Sequence, residues 1–225
     1  MNIIIGDSRA KGIGDNVLIK GRAEVIHRSG ANFPQVSAMI NDHFIYNHGG
    51  HPIFHGDTHY YIMAGICEAT QKLYNHKNKY QEIVYKEKPH QTLEKLRPKY
   101  TAIVREVKEL GAVPILCTLY PIELENWNRK RLQQGKTSYL KFSEHYPEMQ
   151  VQLNEAVDLI NQHIINTNRL NMVTTPMIHR IIQHNRLKAR RSWCLNKLVD
   201  GCHPGDDLKE SAARSLARAI ELNRS

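Results

Sequence analysis

Long apolar runs are absent from this chain. None exceeds strand length, far short of the ~20 consecutive apolar residues that a membrane-crossing helix needs, so no membrane span is expected. Linkers are absent too: no Ser/Gly-rich stretch, internal repeat or low-complexity tract divides the 225 residues. With 41% hydrophobic content, residues 1–225 suit one compact domain with a substantial core. Cysteine is scarce, and Cys67, Cys117, Cys194 and Cys202 have no small-domain disulfide spacing, which points to reduced thiols in an intracellular, cytoplasmic setting. A strand beginning at Asn2 leaves no room for a signal peptide, and an opening methionine set directly against a strand also suits a domain cut from a longer protein. A phosphate-binding loop is missing as well, since Gly12-Ile13-Gly14 lacks the Gly-Lys-Ser/Thr ending that cradles nucleotide phosphates.

Acidic residues are in deficit. Lys and Arg number 31 against 22 Asp and Glu, a formal charge of +9. The excess clusters at Arg186, Lys188, Arg190 and Arg191, and again at Arg129, Lys130 and Arg131. Such clusters suit a polyanion, either nucleic acid or an anionic membrane surface. The plainer reading is a solvated basic face, and no recognised nucleic-acid-binding motif accompanies the charge.

Strand-like and helix-like segments alternate, which predicts an α/β fold, three layers deep, around a mostly parallel five-stranded sheet. Strands are expected near Ile3–Ile5, Ala23–His27, Tyr60–Ala64, Val113–Leu119 and Met172–Thr175, with the almost wholly apolar Val113–Leu119 at the centre. Helical spacing marks Val36, Ile40 and Phe44 after Pro34, then Leu96 to Leu110, Met149 to Ile164, and a last helix from about Asp207 to Leu222. Pro98 is expected to kink the second of these or mark its start. The polar segment Tyr120–Tyr146 reads as an irregular surface insertion near the substrate side, forming part of the wall that sets specificity.

Two short motifs carry chemistry. Ile3-Ile4-Ile5-Gly6-Asp7-Ser8 is a buried strand delivering a serine to its carboxyl end, where ligands gather in open α/β sheets. Asp200-Gly201-Cys202-His203-Pro204 sets a carboxylate three residues before an imidazole in a tight turn. A serine hydroxyl is a poor nucleophile until a base takes its proton, and a carboxylate holds that base in the right tautomer. Taken alone, Ser8 could be a helix N-cap and Asp200 a turn cap. The histidines His48, His51, His55 and His59 crowd around glycines at loop spacing with no cysteine beside them, so they read as a mobile polar loop, and neither metal nor cofactor is expected. A disulfide between Cys67 and Cys202 is a further possibility that spacing leaves open.

Together these blocks resemble the SGNH hydrolases, also called GDSL-type esterases, whose flavodoxin-like fold has this element order. The resemblance spans nearly the whole chain. Its blocks are Gly6-Asp7-Ser8, with Arg9 where many members carry leucine; Gly30 after the second strand; and Asp200-x-x-His203 followed by Pro204. It implies a serine acyl-ester hydrolase, an esterase or deacetylase working through an acyl-enzyme, with Ser8 as nucleophile, His203 as base and then acid, and Asp200 orienting it. The oxyanion hole would be Ser8, Gly30 and position 67. There the sequence departs: the family's Gly-x-Asn-Asp is Gly65-Ile66-Cys67-Glu68. A thiol is a weak donor, and losing one oxyanion donor typically costs about 10² to 10³ in rate, roughly 3–4 kcal/mol. The expectation is a slow hydrolase, one with a substitute donor (Asn32 and Asn41 are nearest in sequence), or a fold put to another use. That other use would be an SGNH-like module, of the kind associated with mobile elements, binding RNA or DNA through Arg186, Lys188, Arg190 and Arg191. Retention of all three triad residues favours the hydrolase. Its ester substrate, small or polymer-borne, is expected to be polar or anionic, because Tyr120–Tyr146 is rich in Tyr, Lys and Arg around Trp127.

Overall fold

The computed structural model describes residues 1–48, 58–75, 80–183, 186–189 and 195–224. In chain order the elements are β1 (Asn2–Gly6), α1 (Ser8–Gly14), β2 (Glu24–His27), α2 (Phe33–His48), β3 (His59–Met63), α3 (Ile66–Ala69), β4 (Gln71–Asn75), β5 (Tyr80–Val84), α4 (Pro89–Glu109), β6 (Val113–Leu116), α5 (Leu124–Gln133), a 3-10 turn (Ser143–His145), α6 (Tyr146–Leu170), β7 (Arg180–Gln183), β8 (Arg186–Ala189) and α7 (Asp206–Leu222). The central sheet is parallel, in the order β2-β1-β3-β6. Two antiparallel hairpins, β4-β5 and β7-β8, complete the strands among the described residues.

Strand side chains alternate between faces, and the sheet uses this to build two cores. Ile3, Ile5, Tyr60, Ile62 and Leu116 pack under α2, α4 and α6, against Val36, Ile40, Leu96, Ile103, Val157 and Ile160. Ile4, Tyr61, Met63, Ile115 and Cys117 face the other way, onto α1 and α7, against Ala10, Ile13, Leu208, Ala212 and Leu216. The result is the expected three-layer α/β/α arrangement. Among the described residues no helix is long and apolar enough to cross a membrane.

Four expectations need correction. The described sheet has four strands rather than five, because Met172–Thr175 is irregular. The apolar strand Val113–Leu116 lies at the end of this sheet, not at its centre. The cause is visible along its outer edge. Val113 and Cys117 donate their N–H groups to Thr58 and Ile62 on the β3 side, so Leu116 points both backbone polar groups outward. There the Asn168 amide accepts from Leu116 N–H (3.0 Å) and donates to Leu116 C=O (2.7 Å). Pro114, with no N–H to offer, shares the edge. Asn161 pairs in the same way with Leu119 (2.6 and 2.8 Å), Asn128 with Ile83 (2.9 and 2.7 Å) and Asn223 with Thr174 (2.6 and 3.1 Å). Each amide takes the place a neighbouring strand residue would fill. The third correction is that Tyr120–Tyr146 contains the helix α5. The fourth is that Pro98 does not mark the start of α4 but sits inside it, on its exposed side, where water can reach the carbonyl freed by the missing N–H.

Asn161 is 4% exposed, so Asn161→Leu strands a buried N–H and C=O together. At about 1–3 kcal/mol for each unsatisfied group, the variant is expected to lose about 2–6 kcal/mol, read as a lower urea midpoint with an unchanged slope.

Candidate active site

The three parallel strands β1, β2 and β3 all end at one crevice of about 230 Å³, lined by Ser8, Ser29, Gly30, Cys67, Lys72, Trp127, Arg131 and His203 among others. The chain leaves β1 at Gly6 and turns straight into α1. Asp7, not Ser8, is the N-cap, its Oδ1 accepting the Arg9 N–H at 2.9 Å. Ser8 is therefore the first helical residue, and its hydroxyl is not used for capping.

Asp200 opens the turn before α7. Its Oδ1 accepts the backbone N–H groups of Cys202 (3.0 Å) and His203 (2.8 Å), and its Oδ2 meets His203 Nδ1 at 2.8 Å. The turn is closed by Val199 N–H on His203 C=O (2.9 Å) and Gly205 N–H on Lys197 C=O (2.7 Å). His203 Nε2 then lies 3.0 Å from Ser8 Oγ. Burial by itself would raise the Asp200 carboxyl; the hydrogen bonds from the His203 ring and from two backbone amides outweigh it and hold the group at about 2. The structure thus brings Ser8, His203 and Asp200 into one hydrogen-bonded line.

Gly30 and Cys67 border the same crevice. Cys67 lies in the short α3, and burial pushes its thiol up to about 11, so it is a neutral S–H at pH 7. Cys202 also lines the crevice, pushed by burial to about 12; both cysteines are free thiols and no disulfide joins them. Glu68, beside Cys67, accepts the Phe33 N–H through its carboxylate and so ties the third block to the start of α2. Asn32 and Asn41 do not reach the crevice. Asn32 exchanges capping hydrogen bonds with Gln35 (both 3.1 Å) and Asn41 is held by Glu106 on α4, so neither side chain is placed to donate into the crevice. Lys72 does reach it: a Cβ added at Gly30 would stand 3.6 Å from Lys72 Nζ.

Arg9 is 3% exposed and fully committed. Its Nε reaches both Asp7 oxygens (3.0 and 3.1 Å), Nη1 donates to Tyr120 C=O (3.3 Å), and the guanidinium lies 5.2 Å from the Tyr120 ring centre. Burial alone would depress this cation, but the Asp7 carboxylate more than compensates and keeps it charged.

Helix α5 forms the far wall, and Gly201 lets it approach. Gly201 has φ +81°, and a Cβ there would stand 2.5 Å from both Glu123 C=O and Trp127 N. Glu123 N–H donates to Gly201 C=O at 2.7 Å. Trp127 is thereby set 5.9 Å from the His203 ring, with Arg131 stacked 4.8 Å over its indole. Sequence reasoning missed Lys72, and it set Trp127 and the Arg and Lys residues of Tyr120–Tyr146 on the substrate side without assigning them to a helix. A signal for α5 exists: Glu123 and Glu125 at one end and Lys130 and Arg131 at the other complement a helix dipole.

Among the other expected residues, Arg190, Arg191, His51, His55 and Cys194 lie outside the described residues. Arg186 and Lys188 belong to β8 by their backbone.

No protein-family model and no curated protein matches this sequence. Solved structures do. A protein assigned to the acylhydrolases from Bacteroides fragilis superposes with a TM-score of 0.57 at 13% identity, covering 98% of this chain and 86% of its own. A GDSL-like lipase from Bacteroides thetaiotaomicron gives 0.56 at 11%, covering 98% and 87%. A protein assigned to the SGNH hydrolases from Slackia heliotrinireducens gives 0.53 at 11%, covering 97% of each chain. Identity this low leaves shape as the common property, and that shape runs from end to end of the chain: it has the SGNH hydrolase fold.

Proposed function

We propose that this protein is a serine ester hydrolase working through an acyl-enzyme, with Ser8 as nucleophile, His203 as general base and acid, and Asp200 as its orienter. The observation that carries this reading is the continuous line from Ser8 Oγ to His203 Nε2 (3.0 Å) and from His203 Nδ1 to Asp200 Oδ2 (2.8 Å). His203 removes the hydroxyl proton as Oγ attacks the carbonyl carbon. It returns that proton to the departing alkoxide and then activates the water that releases the acid. The ionised Asp200 stabilises the imidazolium formed in between. The lipase and acylhydrolase names carried by similar structures agree with this reaction class.

The backbone N–H groups of Ser8 and Gly30 serve as oxyanion donors in this reading. The protonated Cys67 is a weak third, and the Lys72 ammonium beside Gly30 adds positive charge near the developing oxyanion. Cys67→Asn is therefore expected to raise kcat by about 10- to 100-fold. An unchanged or lower kcat in a folded variant would mean that side chain 67 does not face the oxyanion.

The direct test is labelling with a fluorophosphonate, which reports an activated serine without knowledge of the substrate. Labelling of the parent protein at Ser8 is expected, with its loss in His203→Ala. A folded parent protein that takes no label would overturn the proposal.

A further inference from the structure

Beside the crevice lies a second compartment of about 260 Å³, lined by Ser29, Trp127, Lys130, Arg131, Gln134, Lys136, Asp200 and His203. It shares Ser29, Trp127, Arg131 and His203 with the crevice, so a molecule seated at Ser8 can extend into it. Its lining contains no aliphatic side chain, and Trp127, already covered by Arg131, is its one apolar residue. It does contain three cations. Lys130, Arg131 and Lys136 have no carboxylate within ion-pairing distance among the described residues, although α5 and its flanks carry Glu123 and Glu125. Glu125 is engaged by Arg129 at 2.7 Å, and Glu123 by the Asn126 N–H at 3.0 Å. The one carboxylate in the lining, Asp200, is occupied by His203.

Unpaired cations grouped in a polar recess beside the general acid make an anion site. Resting on the hydrolase reading above, we propose that this compartment holds a phosphate on the alcohol side of the ester, so that the substrate is an acyl ester of a phosphorylated alcohol. The direction follows from His203. It bounds both spaces, and as general acid it faces the departing oxygen, so the alcohol lies on its side. Ser8 Oγ bonds to the acyl carbon as its proton passes to His203 Nε2. The bond from that carbon to the alcohol oxygen then breaks, and the oxygen takes the proton from His203. The phosphorylated alcohol leaves intact, and water later cleaves the acyl-enzyme. The Arg131 guanidinium supplies a paired donor fork for a phosphate, and the two lysines supply point charges.

The test compares three acetyl esters at low salt: 2-hydroxyethyl acetate, 2-acetoxyethyl phosphate and the matched carboxylate, 3-acetoxypropanoate. The phosphate ester is expected to exceed the neutral ester in kcat/KM by about 100-fold, the effect of one to two charge-assisted hydrogen bonds. That ratio should shrink as ionic strength rises and fall below about 5 in Arg131→Gln/Lys136→Gln, with the loss mainly in KM. A ratio near one in the parent protein, or a ratio unchanged in the double variant, would overturn the inference. A carboxylate ester used as well as the phosphate ester would overturn the assignment of phosphate. Fluorophosphonate labelling run in parallel separates the two levels. A labelled protein without preference removes only the anion subsite, whereas an unlabelled folded protein removes the hydrolase reading beneath it.

Discussion

Ser8→Ala is expected to lower ester turnover by about 10⁴- to 10⁶-fold while leaving the protein as stable as before. The size of the effect follows from the chemistry. Without Oγ there is no acyl-enzyme, and the residual rate comes from an oxyanion hole and a bound ester awaiting water. The preserved stability follows from the local structure. Asp7 caps α1, so removing the Ser8 hydroxyl leaves the helix start intact, and alanine is a better helix former than serine. The measurement pairs turnover of a simple acetyl ester with a thermal melt. A variant that melts like the parent and still turns over the ester would remove Ser8 from the reaction.

The second large effect is expected at Asp200. In Asp200→Asn the side-chain amide would keep an oxygen for the Cys202 and His203 N–H groups, so the turn should survive. The other end of the amide, however, presents N–H₂ to His203 Nδ1 where the carboxylate presented an acceptor at 2.8 Å. Nδ1 then becomes the acceptor, the ring proton moves to Nε2, and the nitrogen facing Ser8 can no longer take a proton. Asp200→Asn is expected to reduce kcat about 10⁴-fold at pH 7 for this reason. It also has a stability signature. The Asp200 carboxyl is held at about 2, below its ordinary value of 3.8, so it contributes stability above about pH 4 and loses it as pH falls towards 2. The parent should therefore be the more stable at neutral pH, and the two proteins should converge on acidification across that window. Equal turnover would refute the orienting role; a stability gap unaffected by acid would refute the electrostatic account of the turn.

Much of the site was legible because its residues announce themselves locally. An apolar run ended by Gly-Asp-Ser marks a strand and what it delivers, and Asp-x-x-His-Pro marks a turn whose carboxylate caps its own backbone. Contacts decided elsewhere were not legible. Asn32 and Asn41 were the nearest asparagines in sequence to a place that needed a donor, yet Gln35 and Glu106 hold them elsewhere. Lys72 reaches the crevice from a hairpin, and Trp127 and Arg131 reach it from a helix that rests on Gly201.

By itself the sequence determined the alternation of strands and helices and the identity of the residues at the strand ends. Each follows from a period of two or 3.6 or from a short turn motif, all of which act within a few residues. Only the tertiary structure decided that Val113–Leu116 ends the described sheet, that the wall formed by Tyr120–Tyr146 contains a helix docked on Gly201, and that cations without a carboxylate partner among the described residues gather beside His203. These outcomes depend on hydrogen bonds and packing between residues far apart in the chain, such as Asn168 on Leu116 and Glu123 on Gly201. No local pattern records which distant partner will satisfy a buried polar group.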